Sequence, residues 1–317
     1  KLPLPHSHLL SPKLQIQQIP AAHPVYGTVM TINQGNPAAQ EVLVDSWPEF
    51  KVVLTRPRRE VALDDSDLYT NTYTVYYRDI GAYRALLASA GAVNWGQSFR
   101  ILGNLLLIMS HPGVEGRGVQ LSRETSNHSV IVLTNLMVLG PSHDSEVPLS
   151  SLTFGALLCC FLPPPRLDPA MRLSSLDVSH TDLLNETWSF GGNEKSRKYL
   201  AILIRHFPSI CLLDAAGHPV SWIASYPFGA MGPAYTLHEH RQRGYMAMLG
   251  NLLAKRLHAL GYPSYGYVDV ENYPMQRVQE SQGFQCLPNL WYFILHNPVP
   301  VKAPTLTPRP APGTAPT

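Results

Sequence analysis

Residues 235–261 read Y-T-L-H-E-H-R-Q-R-G-Y-M-A-M-L-G-N-L-L-A-K-R-L-H-A-L-G. A short strand ends near Leu237, a basic loop follows, and a helix starts at about Gly244. Arg241-Gln242-Arg243-Gly244 sets two guanidinium groups and a glycine where the first helical turn leaves its N–H groups unpaired. Such a helix start attracts anions, because free amides and the positive end of the dipole face the same way. Arginine adds planar, permanently charged donors that match phosphate. Gly244 lets a pyrophosphate approach the backbone with no Cβ in the way. The helix carries an apolar stripe through Met246, Leu249, Leu253, Leu257 and Leu260. Lys255, Arg256 and His258 suit its negative end, Gly261 its C-terminal cap, and Pro263 stops it. An ordinary surface helix behind a basic loop would give the same letters, so the flanking elements decide.

Downstream, residues 264–270 (S-Y-G-Y-V-D-V) have the aromatic and β-branched content of a buried strand. Asn272 is placed as an N-cap, with Pro274 in the first turn of a shorter helix over 274–281. Gly283-Phe284 ends that helix and opens another strand. Strand, basic loop, helix, strand, Asn, helix, Gly-Phe resembles the core of the GNAT superfamily of acyl-coenzyme A N-acyltransferases. Its pyrophosphate signature, Arg/Gln-x-x-Gly-x-Gly/Ala, is matched by Arg241-Gln242-Arg243-Gly244-Tyr245 and departs at Met246.

Further motifs narrow the resemblance. Pro219-Val-Ser-Trp222, Tyr235-Thr-Leu-His-Glu-His-Arg241, Gly261-Tyr-Pro and Val268-Asp-Val-Glu-Asn272 with Met275-Gln276 resemble the C-terminal half of the glycine N-acyltransferases. Val25-Tyr26-Gly27, Asn33-Gln-Gly-Asn36-Pro37 and Asp45-Ser46-Trp47-Pro48-Glu49-Phe50 resemble their N-terminal half, in wording nearest to a glycine N-acyltransferase-like branch. The similarity covers roughly residues 25–103 and 170–297. It implies an α/β (α+β) architecture: a mixed, mainly antiparallel sheet flanked by helices, in two acyltransferase-like halves.

Composition agrees with a folded chain and excludes some roles. The 317 residues carry 15% charged side chains and a net charge of +2, which offers no global attraction for nucleic acid. Cys159, Cys160, Cys211 and Cys286 lack metal-ligand spacing and read as reduced thiols. The apolar run 154–162 is far short of the roughly 18 residues of a membrane span.

In chain order, residues 1–24 read as a disordered leader and a weak transit-peptide candidate, in a chain expected to be a fragment or a processed form. Residues 25–103 read as an N-terminal domain with strands over 25–32, 42–44, 51–55 and 69–77 and a helix over 80–89. Arg56-Pro57-Arg58-Arg59 reads as a solvated basic loop. Residues 104–169 show apolar runs at 105–109, 130–139 and 154–162 with neither helical nor alternating period. They read as an atypical linker or insertion, where the resemblance implies amphipathic helices. Residues 170–297 read as the acyl-coenzyme A-binding domain, with helices over 182–188 and 194–205, strands over 210–213 and 220–225, and a last strand over 290–295. Residues 298–317 form a Pro-rich tail. The sequons at Asn127 and Asn185 read as chance matches.

The reaction implied by the resemblance is acyl transfer from acyl-coenzyme A, a co-substrate rather than a tightly bound cofactor, to the amine of glycine. Thr236, Leu237 and His238 would offer main-chain groups to the pantetheine arm. Arg241, Arg243, Gly244, Tyr245 and Met246 would hold the pyrophosphate, and Asn272 the arm from the next strand end. The family's general-base Glu falls at Ala230, and the superfamily's Tyr acid at Gln279. His238 and Glu239 are then the candidate catalytic groups, with His240 beside them. The alternative is a non-catalytic acyl-coenzyme A-binding relative that has lost the base. No metal, nucleic acid or membrane is expected. A monomer is expected, and the resemblance implies mitochondria.

Overall fold

A computed structural model describes residues 19, 22–104, 129–139, 167–287 and 291–298. Most of the leader, Cys159-Cys160, the sequon at Asn127, the runs 105–109 and 154–162, and the tail beyond 298 lie outside the described residues. The elements are α1 (His23–Asn33), β1 (Gln40–Val44), β2 (Val52–Pro57), β3 (Thr72–Tyr77), α2 (Ile80–Leu87), β4 (Phe99–Asn104), β5 (Ser129–Leu139) and β6 (Arg172–Ser174). After these come α3 (Thr181–Thr187), α4 (Glu194–His206), β7 (Ile210–Leu213), β8 (Pro219–Ser225), β9 (Met231–Thr236), α5 (Tyr245–Ala259), β10 (Tyr265–Asp269), α6 (Tyr273–Ser281), β11 (Phe284–Cys286) and β12 (Trp291–His296).

All described strands join one sheet, in the order β1-β2-β3-β4-β12-β5-β10-β9-β8-β7-β6, with β11 also on β5. Only the β3–β4 and β9–β10 joints are parallel, so the sheet is mixed and mainly antiparallel. The two halves meet through β12 and β5. β12, last in sequence, pairs with β4 through Phe99↔His296 and with β5 through Ser129↔His296. The other edge of β5 pairs with β10, and its far end with β11. The run 130–139, inside the stretch read as a linker or insertion, is therefore a strand near the middle of the sheet. A strand with neighbours on both edges need not alternate, so a period-based reading passes it over. β4 had no counterpart in the sequence reading.

The run 25–32, expected as a strand, is helical. In α1 every residue from His23 to Ile32 is buried, so no polar face marks a helical period. Pro24 sits in the first turn, where its fixed φ suits a helix start. Tertiary packing overrides the β-propensity of Val25, Val29 and Ile32. The helix ties the halves together. Thr31 Oγ1 donates to the Pro227 carbonyl at 2.7 Å, and Tyr26 Oη donates to the Gly261 carbonyl at 3.1 Å. Its apolar side packs with α5, where Leu249, Leu253 and Leu257 are fully buried. Leu260, placed on the same stripe from its spacing, is instead largely exposed.

The basic cluster at 56–59 divides: Arg58 and Arg59 are exposed beyond β2, as a solvated loop requires, whereas Arg56 departs from that expectation. Arg56 lies inside β2, buried, with Nε donating to Glu41 at 2.7 Å and Nη1 to the Ala92 carbonyl at 3.0 Å. Burial of this cation is possible because a carboxylate and carbonyls surround it. The second half follows the sequence closely: α3, α4, β7, β8 and α5 lie within a residue or two of their expected bounds.

Gly27 marks the closest approach of α1 to the second half, since an added Cβ would fall on the Phe228 carbonyl. Gly27→Ala gains at most about 1 kcal/mol of helix propensity. Overpacking costs typically 1–3 kcal/mol, and here the obstacle is main chain. The variant should melt at a lower temperature than the parent in a calorimetric scan.

Candidate active site

β9 and β10 are joined by one bridged pair, Gly266↔Met231. The next two residues of β9 explain why the ladder stops there. Gly232 has φ +140°, outside the range of an ordinary strand residue, and Pro233 has no N–H to donate. The register of β8 against β9 shifts at the same level, between Ile223 and Ser225. Beyond the bridge the strands part, and a cavity of about 950 Å³ opens between them. Ala234, Tyr235 and Thr236 of β9 line one wall, and Tyr267, Val268 and Asp269 of β10 line the other.

At one end the cavity meets the basic loop. Gly244 is the N-cap of α5, with φ +75°, and no side chain caps the helix. No acidic residue stands in the first turn, so nothing competes there for an anion. Gly244 thus does two jobs, since its left-handed φ excludes most other residues even before ligand approach is considered. Arg241 lies with its guanidinium 5.2 Å from the Tyr235 ring centroid, and its Nε donates to the Thr236 carbonyl at 3.0 Å. Arg243 Nη2 donates to the Glu239 carbonyl at 3.2 Å. Neither arginine forms an ion pair with a carboxylate among the described residues. Two exposed cations held by main-chain carbonyls beside an uncapped helix start make an anion-binding mouth.

The residues placed here from sequence divide clearly. Thr236, Arg241, Arg243, Gly244, Tyr245, Met246 and Asn272 all line the cavity. Tyr245 is buried and also packs against Leu212 and Val220. Asn272 caps α6, its side chain accepting from the Met275 amide at 3.3 Å. Leu237, His238 and Glu239 do not line the cavity. The 3-10 turn His238–His240 leaves His238 and Glu239 exposed and puts only His240 against it. The Nδ1 of His240 is buried with no hydrogen-bond partner among the described residues. Ala230 is fully buried against Leu102, Phe228 and Tyr265, with Tyr226 and Tyr267 packed alongside. Gln279 is buried, lines the cavity, and leaves its Oε1 without a partner among the described residues.

The far end of the cavity was not visible in the sequence. Tyr69 and Arg100 come from the first half, and Trp188, Phe190 and Tyr226 from the second. Burial raises the Tyr226 and Tyr267 hydroxyls well above the usual phenol range, so both stay protonated. These residues belong to separate segments, and only the sheet brings them together.

The corresponding place in the first half is closed. The parallel β3–β4 joint keeps three pairs, Thr72↔Arg100, Tyr73↔Ile101 and Thr74↔Leu102. The following helix, α2, is capped by Asp79, whose carboxylate accepts from the Ala82 amide at 2.7 Å. A carboxylate fills the position an anion would need.

Comparison with known proteins covers both halves of the chain. The model of the aralkyl acyl-CoA:amino acid N-acyltransferase family matches residues 8–208, and the model of its C-terminal region matches residues 210–298. Glycine N-acyltransferase of Bos taurus is 35% identical over 276 residues, which cover 87% of this chain and 91% of that protein. The Homo sapiens glycine N-acyltransferase is 32% identical over 286 residues, with the same coverage. Glycine N-phenylacetyltransferase of Bos taurus is 33% identical over 276 residues, covering 87% of this chain and 91% of that protein. Among solved structures, a Drosophila protein superimposes with a TM-score of 0.66 at 14% identity, covering 94% of this chain and 98% of that one. A tandem GNAT protein from the clavulanic acid biosynthesis pathway gives a TM-score of 0.50 at 14% identity, with the same coverage. At that identity the likeness speaks for the fold, a tandem GNAT architecture, while the family models and curated relatives speak for descent. With a sheet opened in one half only and a basic helix start at its mouth, the chain belongs to the aralkyl acyl-CoA:amino acid N-acyltransferase family.

Proposed function

We propose that this protein transfers the acyl group of an acyl-coenzyme A to the amine of glycine, giving an N-acylglycine and free coenzyme A. The observation that carries the reading is the single-bridge seam between β9 and β10, opening into a cavity whose mouth is an uncapped, arginine-flanked helix start. The pyrophosphate would lie on Arg241, Arg243 and the amides of residues 244–246. The pantetheine arm would follow the free edge of β9 inward, and the thioester would lie beyond it towards Tyr226 and Tyr267. The thioester is already activated, so the protein must align two substrates and stabilise an oxyanion. The amine attacks the thioester carbon, the carbonyl oxygen takes the charge, and the C–S bond breaks to release the thiolate. The amine's proton ends on solvent or on sulfur. The family resemblance supports a mitochondrial location, which imaging of the full-length protein tests.

The proton step has a particular form here. Among the described residues, the only imidazole and the only carboxylate lining the cavity belong to His240, in the turn before the basic loop, and Asp269, at the end of β10. The aromatic end offers tyrosines that stay protonated. With alanine at position 230, the glycine amine enters as its free base. Below the amine's own pKa the free fraction rises tenfold per pH unit, so kcat/KM for glycine should climb with a slope near one from pH 7 to pH 9. A flat profile over that range would reveal a resident base. Ala230→Glu places a carboxyl beside Tyr226 and Tyr267. It should raise kcat at pH 7 and flatten the profile, since a positioned base is typically worth ~10²–10⁴-fold.

The basic loop is tested separately. Arg241→Ala and Arg243→Ala should each weaken coenzyme A binding roughly ten- to a hundred-fold, as expected for losing one charge-assisted contact. Gly244→Val should do at least as much, by straining a positive φ and blocking the amides. Calorimetric titration with coenzyme A reads all three, and unchanged affinity throughout would remove the main support for this function.

A further inference from the structure

At the aromatic end of the cavity lies a buried cation, far from the basic loop at the mouth. Arg100, on β4, is 6% exposed and lines the cavity. Its Nε donates to Thr72 Oγ1 at 2.6 Å, and its Nη2 to the Tyr69 carbonyl at 2.9 Å and to Tyr199 Oη at 2.6 Å. The guanidinium carbon is 5.0 Å from the centroid of the Tyr199 ring. All these partners are neutral. Among the described residues no carboxylate forms an ion pair with Arg100, and Nη1 makes no hydrogen bond. The contrast with Arg56 is direct, because that buried arginine carries its own Glu41. A buried charge without a counter-charge is costly, and the cost is offset when an anion arrives. Hydroxyls and a carbonyl fix the plane of the fork, which leaves Nη1 directed by its neighbours rather than by a flexible stem.

The geometry points to Arg100 as the subsite for the carboxylate of the amino-acid acceptor. The inference deepens the proposed function and rests on it. The anion is small, since Tyr69, Trp188, Phe190 and Tyr226 wall the same end of the cavity. It is distinct from the pyrophosphate, which has its own cations at the mouth. Aromatic walls exclude water, and a guanidinium–carboxylate pair is stronger in such surroundings than in bulk solvent. Anchoring the carboxylate there would leave the α-amine, two bonds away, to reach the thioester. The first half of the molecule thus supplies an acceptor-binding residue to a reaction run in the second.

The test compares glycine with glycinamide, which keeps the amine and lacks the carboxylate, using one acyl-coenzyme A and mass-spectrometric product detection. With kcat/KM referred to the free-base fraction of each amine, the parent protein should prefer glycine by about 10- to 100-fold, the span expected for one charge-assisted pair. In Arg100→Gln that preference should collapse, through a raised KM for glycine, with the KM for acyl-coenzyme A unchanged. Arg100→Lys keeps the charge without the fork and should lose part of the preference, so it carries the test if the glutamine variant fails to fold. A parent that acylates both amines equally overturns the proposal and leaves acyl transfer standing, as does an Arg100 variant that retains the full preference. A merely structural role for Arg100 would lower activity on both amines alike and would also overturn it. Acylation of neither amine by the parent would sink the proposed function itself, and this inference with it.

Discussion

A continuous sheet of hydrogen bonds tolerates a break only where the freed groups find other partners. In this protein the break falls between β9 and β10, after the single bridge of Met231 with Gly266. Everything around the site depends on that break. Gly232 and Pro233 end the ladder, the cavity fills the gap, and α5 stands with its amide end at the mouth. Main-chain groups that no strand satisfies are costly if buried dry. A ligand carrying amides along its length can serve as the missing strand, and an extended pantetheine arm would be such a ligand.

The same constraint separates the two halves of the molecule. The halves share an architecture, yet β3 and β4 stay zipped where β9 and β10 part. Asp79 caps α2, whereas Gly244 leaves α5 bare. Relieved of a groove, the first half contributes surfaces instead. It sends α1 across to the second half through Thr31 and Tyr26, and it delivers Tyr69 and Arg100 to the wall of the cavity.

What could be read from the chain depended on range. The loop 241–244, the Asn272 cap and the strands and helices of 176–286 are local patterns, encoded in side-chain period and cap chemistry. They emerged from sequence with little error. Failures came where the period was lost. Helix α1 hides its axis because its residues from 23 to 32 are all inside, and β5 shows no alternating pattern in sequence although it lies near the middle of the sheet. Arg56 looked solvated because its Glu41 partner lies on another strand. The aromatic end of the cavity is a non-local object, built from residues 69, 100, 188, 190 and 226, and no single motif announces it. The 3-10 turn at 238–240 shows the opposite case. There three neighbouring residues of plausible chemistry were told apart only by the direction of a tight turn.

The placement of β12 bears on the order of events at the ribosome. Phe99 pairs with His296, close to the end of the described chain, and β12 is all that separates β4 from β5. While the chain is being translated, β4 emerges early and its outer edge has nothing to bond. Ile101 and Leu102, buried in the finished protein, belong to that open edge for the whole interval. Exposed apolar edges recruit other chains, and nascent proteins fold from the N-terminus as they emerge. The first half therefore cannot close its own sheet during synthesis. It keeps an open edge until β12 is released, and a chain stopping short of residue 291 would carry most of the second half's cavity on a molecule with an open seam.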